Sequence, residues 1–401
     1  MKRIPEASIA DLTLDLVKIP SETGTEQMVQ EFYTKYLKKA GLEVTLQPID
    51  DTGRSNVIGK IAGTGGGKSL LIQGHLDTIP RGDCVPPSVN RGESRVYGRG
   101  SCDCKGSCAA EAVAAKALIE SGVKLKGDLY IVGIAGEETT RKPDGTLWKI
   151  GAQAMVEQKY PKVDSAIVLE CSPPLGLALA NKGSMGFEFT VFGADRLLHE
   201  SAVPFARNPT YWQAEVIEAL MKLNRALSKK KNRFVGPPYI NVMSVSHPVF
   251  LNTIPTSIGI RGTRRMNPGE TREGVLKEFD ALFGDLCKRS PLKIEMNVTG
   301  EPVPWEISPD EPVVKSLQKA YKQVTKKTVL LGGYPANGDG RWYNKGFSEW
   351  HKKYNKKGIV TTCFGADHAS AHSNIEYVDT KQLETVAKVC ALAALDFCGR
   401  T

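Results

Sequence analysis

The stretch SLLIQGHLD, residues 69–77, runs from an apolar strand signal directly into a histidine and an aspartate. Two further apolar runs, 128–135 and 165–169, end just before glutamates, and a predicted helix over 105–120 separates the first run from the second. Near-continuous apolar strands that alternate with helices are typical of a mostly parallel sheet covered on both faces. Open α/β sheets bind ligands at the carboxyl ends of their strands. The sequence therefore predicts an α/β domain whose site lies at the edge of the sheet that holds His75.

The polar residues that follow these strands form a potential set of metal ligands. Histidines and carboxylates stand in short motifs along the chain: His75, Asp103, the pair Glu137 and Glu138, Glu170 and His372. Such a borderline-to-hard set suits a pair of Zn²⁺ ions per chain, with Co²⁺ or Mn²⁺ as substitutes. A further glutamate beside the ions is what a metal-assisted hydrolase needs. Asp77 suits the role of acceptor for the second ring nitrogen of His75.

Composition and charge exclude several classes of protein. The chain has 401 residues and a net charge of +9, but its basic residues are dispersed, so we expect no nucleic-acid partner. Its apolar runs are too short for a membrane-spanning helix, and no apolar core follows the charged start. We therefore expect no membrane association and a cytoplasmic location. Nine scattered cysteines indicate reduced thiols rather than a disulfide framework.

A different pattern begins near Lys182 and predicts an inserted domain. Its signals are a strand, a helix, two strands, a helix and a strand, at 185–192, 209–227, 239–245, 255–263, 270–288 and 292–298. This βαββαβ order is that of a ferredoxin-like unit. His372 lies in the helix-and-strand segment that follows, so the first domain is predicted to be discontinuous. Its two parts would be 1–182 and 303–401, with the inserted domain at 183–302.

The motifs in their order make this chain resemble the M20 metallopeptidase family. The branch concerned contains acetylornithine deacetylase, succinyl-diaminopimelate desuccinylase and glutamate carboxypeptidase-like enzymes. The motifs are GHLDTIP, GRGSCDCKG, AGEE, LEC and AHSNIEYV, and the resemblance covers nearly the whole chain. The long gap before the last motif is where that family carries its inserted lid and dimerisation domain. The resemblance therefore implies a catalytic α/β domain, an inserted lid and a homodimer.

The same resemblance implies a role for each predicted ligand. One metal ion would be bound by His75 and Glu170, the other by Glu138 and His372, and both would be bridged by Asp103. Glu137 would be the general base that takes a proton from the attacking water and passes it to the leaving amine. Asp77 would orient His75. His368 competes with His372 for the last ligand position, but only His372 stands in the family motif.

Further residues match family positions around the substrate. His199 matches a lid histidine that stabilises the tetrahedral oxyanion. Asn252 and Arg265 correspond to lid positions that hold the substrate carboxylate, which the planar fork of arginine suits. The preceding arginine would point the other way on an alternating strand. Asp339 and Arg341 resemble an Asp-x-Arg loop near the site, and the alternative is a turn with its own salt bridge.

Three features near the motifs depart from the common pattern. Cys102, Cys104 and Cys108 offer thiolates beside the predicted bridging aspartate, but no fourth thiolate stands close to them, so we expect no additional zinc site. The loop over 139–150 is longer than in many relatives, and its place after the glutamate pair predicts that it shapes the substrate pocket. Cys171 stands where relatives frequently have proline.

The predicted activity is metal-dependent hydrolysis of the amide bond in a small N-acyl amino acid, of the deacetylase or desuccinylase type. A dipeptidase or carboxypeptidase of the same family is the alternative, because lid and loop side chains decide between these substrates. A non-catalytic, metal-dependent binding protein is the third hypothesis. It is the least favoured, because the chain keeps every predicted ligand, the base and the lid histidine.

Overall fold

The computed structural model describes residues 4–138, 142–170, 173–246 and 252–401. Cys171 and the start of the predicted 139–150 loop lie outside the described residues. The first part of the chain contains α1 (Glu6–Lys18), α2 (Gln27–Lys39), β1 (Glu43–Pro48), β2 (Ser55–Ile61), β3 (Leu70–His75), β4 (Ser88–Asn90), β5 (Arg95–Tyr97), α3 (Gly106–Glu120), β6 (Leu129–Ile134), α4 (Gly151–Gln158), β7 (Ser165–Val168) and β8 (Leu177–Asn181).

The later elements continue in chain order. The middle part contains β9 (Gly183–Phe192), β10 (Leu198–His199), α5 (Pro209–Leu227), β11 (Tyr239–Ser246), β12 (Thr253–Ile254), β13 (Ser257–Met266), α6 (Arg272–Arg289) and β14 (Ile294–Thr299). The last part contains β15 (Trp305–Glu306), α7 (Pro312–Thr325), β16 (Leu331–Tyr334), α8 (Gly340–Tyr343), α9 (Glu349–Tyr354), β17 (Val360–Phe364), β18 (Tyr377–Asp379) and α10 (Thr380–Phe397).

The main sheet has the strand order β1-β2-β6-β3-β7-β17-β8-β15, with β16 paired to β8. Its central strands β6, β3, β7 and β17 run parallel to one another, and antiparallel strands flank them. Every residue of β3 is buried, as a strand covered on both faces requires. The predicted α/β class, with a mostly parallel covered sheet, is therefore confirmed.

Helix α3 packs closely against β3 because small side chains face the strand. A Cβ atom at Gly74 would lie 2.8 Å from the Sγ of Cys108, so only glycine fits at this point of β3. On the neighbouring part of the chain, the hydroxyl of Tyr33 in α2 donates a hydrogen bond of 2.7 Å to Glu111 of α3. Because α3 begins directly after the turn at Ser101–Lys105, this packing fixes the turn relative to β3.

A second, antiparallel sheet has the strand order β11-β13-β9-β14. Strand β9 buries every second residue, as expected of a strand with one covered face. The core on that face includes Phe187 and Phe189 of β9 and Phe279 of α6, whose ring centres lie 5.4 to 6.2 Å apart. The order β9-α5-β11-β13-α6-β14 confirms the ferredoxin-like βαββαβ prediction, and the short ladder β10–β12 is an addition to it.

The chain divides into two compact units. The first comprises residues 1–180, 306–334 and 338–401, and the second comprises 181–305 with 335–337. Within the described residues, no helix combines the length and the apolar character that a membrane crossing would need.

Candidate metal centre

His75 is the last residue of β3, so its side chain emerges at the carboxyl end of a central parallel strand. Its Nδ1 lies 2.9 Å from the backbone carbonyl oxygen of Asp77, and its Nε2 lies 2.9 Å from Oδ1 of Asp103. A hydrogen bond from Nδ1–H to a carbonyl leaves the lone pair of Nε2 available for a metal ion. The main chain of Asp77 provides this acceptor, because its carboxylate is 3.6 Å from Nδ1.

The carboxylate of Asp77 holds the main chain of the glutamate pair. It accepts the backbone N–H groups of Glu137 and Glu138, each at 3.0 Å, and the hydroxyl of Thr23 at 2.8 Å. Burial by itself would raise the pKa of Asp77, but His75 and these donors hold that pKa below its usual value. Asp77 therefore stays an ionised acceptor that ties the glutamate pair to the end of β3.

Asp103 presents its two carboxylate oxygens to two different histidines. Oδ1 lies 2.9 Å from Nε2 of His75, and Oδ2 lies 3.2 Å from Nε2 of His372. The same nitrogen of His372 is 3.0 Å from Oε1 of Glu138. Two ligands at about 2.0–2.1 Å from a tetrahedral zinc ion lie roughly 3.3 Å apart, so these separations are close to those of ligands that share an ion.

Glu137 and Glu170 extend this cluster. The side chains of His75, Glu137 and Glu170 each have a potential ligand atom within 4.8 Å of the others, and the same is true of His75, Asp103 and Glu138. Burial raises the pKa of Glu137 well above its usual range, and the neighbouring Glu170 carboxylate raises it further. Imidazole nitrogens and carboxylate oxygens at these distances are a donor set that fits divalent cations.

The geometry also separates the two histidines that compete for the last ligand position. His372 contacts both Asp103 and Glu138, whereas Nε2 of His368 lies 3.8 Å from Asp103. Asp103 and Glu138 together raise the pKa of His372 to about 10. A divalent cation at this place would neutralise the same two carboxylates. His372 therefore lies between two carboxylates, and its role as a metal ligand stays a prediction.

Glu376 fixes the turn that carries Asp103, and the sequence reasoning missed it. Its Oε1 accepts the backbone N–H groups of Cys102 and Asp103 at 3.3 and 3.4 Å, and its Oε2 lies 2.6 Å from the guanidinium of Arg99. Glu376 is completely buried, so these partners compensate a charge that would otherwise be costly. The sequence does contain a signal that points to Glu376, because this residue stands in the same AHSNIEYV motif as His372.

Two of the cysteines near Asp103 lie against the main chain of His75. The backbone N–H of His75 donates to Sγ of Cys104 at 3.0 Å, and Sγ of Cys108 lies 3.3 Å from the carbonyl oxygen of His75. Burial raises the pKa of Cys104 well above its usual range, so its thiol stays protonated. These thiols therefore pack beneath the end of β3.

Asp339 is buried close enough to Glu137 to raise the pKa of that glutamate. Its Oδ2 accepts a hydrogen bond of 2.9 Å from Gln73, which in turn accepts one from the Tyr343 hydroxyl. Its Oδ1 has no hydrogen-bond partner among the described residues, and burial raises the pKa of Asp339 to about 6. Arg341 is half-buried, and its carbonyl oxygen lies 2.9 Å from the His351 ring. The partner of Asp339 is therefore Gln73, a residue that sequence reasoning did not single out.

The second unit holds His199 and Asn252 side by side. His199 is exposed, pairs with Thr253 in the β10–β12 ladder, and has its Nδ1 2.9 Å from the hydroxyl of Ser201. The backbone N–H of Glu200 donates to the carbonyl of Asn252 at 3.0 Å. The ladder therefore places both predicted residues at one end of a short two-strand element.

The neighbouring arginines of β13 have different surroundings. Arg264 is completely buried and lies 2.8 Å from Glu270 and 3.0 Å from Glu278, so it is bound within the unit. Arg265 is half-buried, and its Nη1 has no hydrogen-bond partner among the described residues. Arg265 thus has a buried donor without a partner among the described residues, whereas two carboxylates of the same unit bind Nη2 of Arg264.

Comparisons with known proteins identify relatives of this chain. The model of the family described as Peptidase family M20/M25/M40 matches residues 71–396. A succinyl-diaminopimelate desuccinylase from Burkholderia ambifaria is 26% identical over 395 residues, covering 94% of this chain and 96% of that protein. An acetylornithine deacetylase from Vibrio atlanticus is 26% identical over 303 residues, covering 74% of this chain and 76% of that protein. Among solved structures, that of aminopeptidase PepT from Bacillus cereus superimposes on this chain with a TM-score of 0.76 at 16% sequence identity. The match covers 98% of this chain and 99% of the PepT chain, so the two share a fold.

Proposed function

This chain belongs to peptidase family M20/M25/M40, metal-dependent hydrolases of C–N bonds, and from that premise we propose that it cleaves the amide bond of an N-acyl amino acid. N-acetylated and N-succinylated amino acids are the leading substrates, because one relative is named a deacetylase and another a desuccinylase. The proposed site holds two Zn²⁺ ions per chain, with Co²⁺ or Mn²⁺ as substitutes.

The observation that supports this proposal best is the position of Asp103 between two histidines. One carboxylate oxygen faces His75 and the other faces His372, as a carboxylate that bridges two cations requires. His75 and Glu170 would hold one ion, and Glu138 and His372 the other. When bound, the ions would lower the pKa of a water molecule and polarise the scissile carbonyl.

Glu137 acts as the general base in this proposal. It is buried beside His75 and Glu170, and burial together with neighbouring carboxylates raises its pKa. A carboxyl group with a raised pKa takes a proton from the attacking water more readily and can then give it to the leaving amine. Asp77 positions this base, because its carboxylate accepts the backbone N–H of Glu137.

Residues of the second unit act on the substrate. His199 donates to the developing oxyanion through Nε2, because its Nδ1 is engaged by Ser201. Arg265 and Asn252 bind the substrate carboxylate, and the part of Arg265 is supported by its Nη1, which has no hydrogen-bond partner among the described residues. The predicted inserted domain, 183–302, forms the lid and the homodimer contact in this proposal. In the first unit, Asp339 and Arg341 contribute to substrate binding.

Cleavage of a dipeptide or of a carboxy-terminal residue is the alternative, because a peptide bond is opened by the same chemistry as an N-acyl amide. An activity panel separates the two. Full-length protein is treated with a chelator, reconstituted with zinc or cobalt, and assayed with N-acetyl and N-succinyl amino acids and with dipeptides. We expect metal-dependent turnover of the N-acyl amino acids. Turnover of dipeptides alone would establish the alternative, and no metal-dependent turnover by protein that binds two ions per chain would contradict the hydrolase proposal.

A further inference from the structure

We propose a second binding site, for a small amphipathic carboxylate, in a cavity at the opposite edge of the main sheet from the candidate metal ligands. The cavity has a volume of about 310 Å³. Pockets that hold small molecules are about 300–1,000 Å³. Apolar parts of Leu71, Met155, Val163, Tyr343 and Ile359 line it.

The direction of the strands places this cavity away from the candidate metal centre. Val163 comes just before β7, and Ile359 comes just before β17, so both lie at the amino ends of parallel strands. His75 and Glu170 stand at or beyond the carboxyl ends of β3 and β7. Because a strand rises about 3.3 Å per residue, the length of a strand separates the two places. The inference is therefore independent of the proposed hydrolase activity.

The mouth of the cavity carries positive charge. Lys159 and Lys162 line it, both are exposed, and in the described part of the chain neither ammonium group has an ion-pair partner. No aspartate or glutamate is among the described residues that line the cavity. Two lysines at the opening of an apolar cavity favour a ligand with an apolar body and one acidic group.

Two polar groups in the wall have partners within the protein. The side-chain amide of Asn355 donates to the carbonyls of Trp342 and Tyr343, at 2.8 and 2.6 Å. The Tyr343 hydroxyl bonds Gln73 and lies 3.5 Å from the sulfur of Met155. Because these two groups are already engaged, the recognition that we propose rests on apolar contact and on the two lysines.

Octanoate is a suitable probe, and octylamine is its control with the same apolar chain and the opposite charge. Calorimetric titration of the zinc-loaded, full-length protein is expected to show saturable binding of octanoate and at least tenfold weaker binding of octylamine. The double change Lys159→Glu and Lys162→Glu should weaken octanoate binding by about tenfold or more. Lys124→Glu, which reverses an exposed lysine that does not line the cavity, should leave the binding unchanged.

A variant that fills the cavity provides a second test. Ile359→Trp should abolish octanoate binding while the protein keeps its circular dichroism spectrum. If this variant fails to fold, the exposed lysine changes decide the question alone. Equal binding of octylamine, or octanoate binding that both lysine reversals leave intact, would overturn the proposal, since the latter would place the carboxylate elsewhere, such as at the metal ions.

Discussion

The region around His75 and the region around His199 are built in opposite ways. At His75 the side chains emerge from a strand end and a turn, they are largely buried, and two buried carboxylates, Asp77 and Glu376, each accept backbone N–H groups that fix them. At His199 an exposed side chain stands on a ladder of two residue pairs. The fold therefore preorganises the first region, whereas a short local element positions the second. Metal binding should depend on the first region alone, and turnover should depend on both.

Replacing the residue at the centre of the first region is expected to have the largest effect. Asp103→Ala removes the carboxylate that faces both His75 and His372, so we expect activity at the detection limit and fewer than two metal ions per chain. Activity assays with mass-spectrometric metal analysis measure both. Asp51→Ala, at an exposed aspartate, is the matched control. An Asp103→Ala protein that retained two ions and full activity would exclude a bridging role.

The two adjacent glutamates should separate chemistry from metal binding within the same region. Glu137→Gln is expected to lower kcat by about 10²–10⁴-fold with metal content unchanged, because it removes a general base. Glu138→Gln is expected to lower the metal content, because it weakens a ligand. The kcat and the metal stoichiometry of both variants are compared with those of the parent protein. The reverse pattern would mean that the two roles are exchanged.

The second region should affect turnover without affecting the metal centre. His199→Ala is expected to lower kcat by on the order of 10²–10³-fold, the loss typical of one oxyanion donor, with metal content unchanged. Glu200→Ala, at the exposed neighbouring residue, serves as control and should keep its activity. Full activity in His199→Ala would remove this histidine from the mechanism.

The smallest effect is expected from removing one hydrogen bond that supports the region around His75. Thr23→Val removes a hydroxyl that donates to the buried carboxylate of Asp77 at 2.8 Å. We expect the free energy of unfolding to fall by about 1–3 kcal/mol in urea titrations. Thr25→Val removes a similar bond of 2.8 Å to the carbonyl of Glu22 in an exposed turn, and should cost less. Equal losses of unfolding free energy in the two variants would show that the bond to Asp77 contributes no more to stability than the exposed bond.

The sequence predicted those features that depend on strand direction and periodicity. His75 and Glu170 were found because each follows an apolar run, and parallel strands bring such ends to one edge of a sheet. Alternating burial in β9 and continuous burial in β3 likewise follow from their residue patterns. Glu376, Gln73 and Thr23 could not be found this way, because their partners lie far along the chain and a single hydrogen bond leaves no periodic signal. The domain limits 183–302 and the roles of the site residues stay predictions.

A crystal structure of the zinc-loaded protein, with anomalous data collected at the zinc edge, would show whether Asp103 bridges two metal ions. We expect two anomalous peaks about 3.5–4 Å apart, one on each side of Asp103. One peak should be bound by His75 and Glu170, and the other by Glu138 and His372. A single peak, two peaks without Asp103 between them, or a second ion bound by His368 in place of His372 would contradict the proposed pair of ions bridged by Asp103.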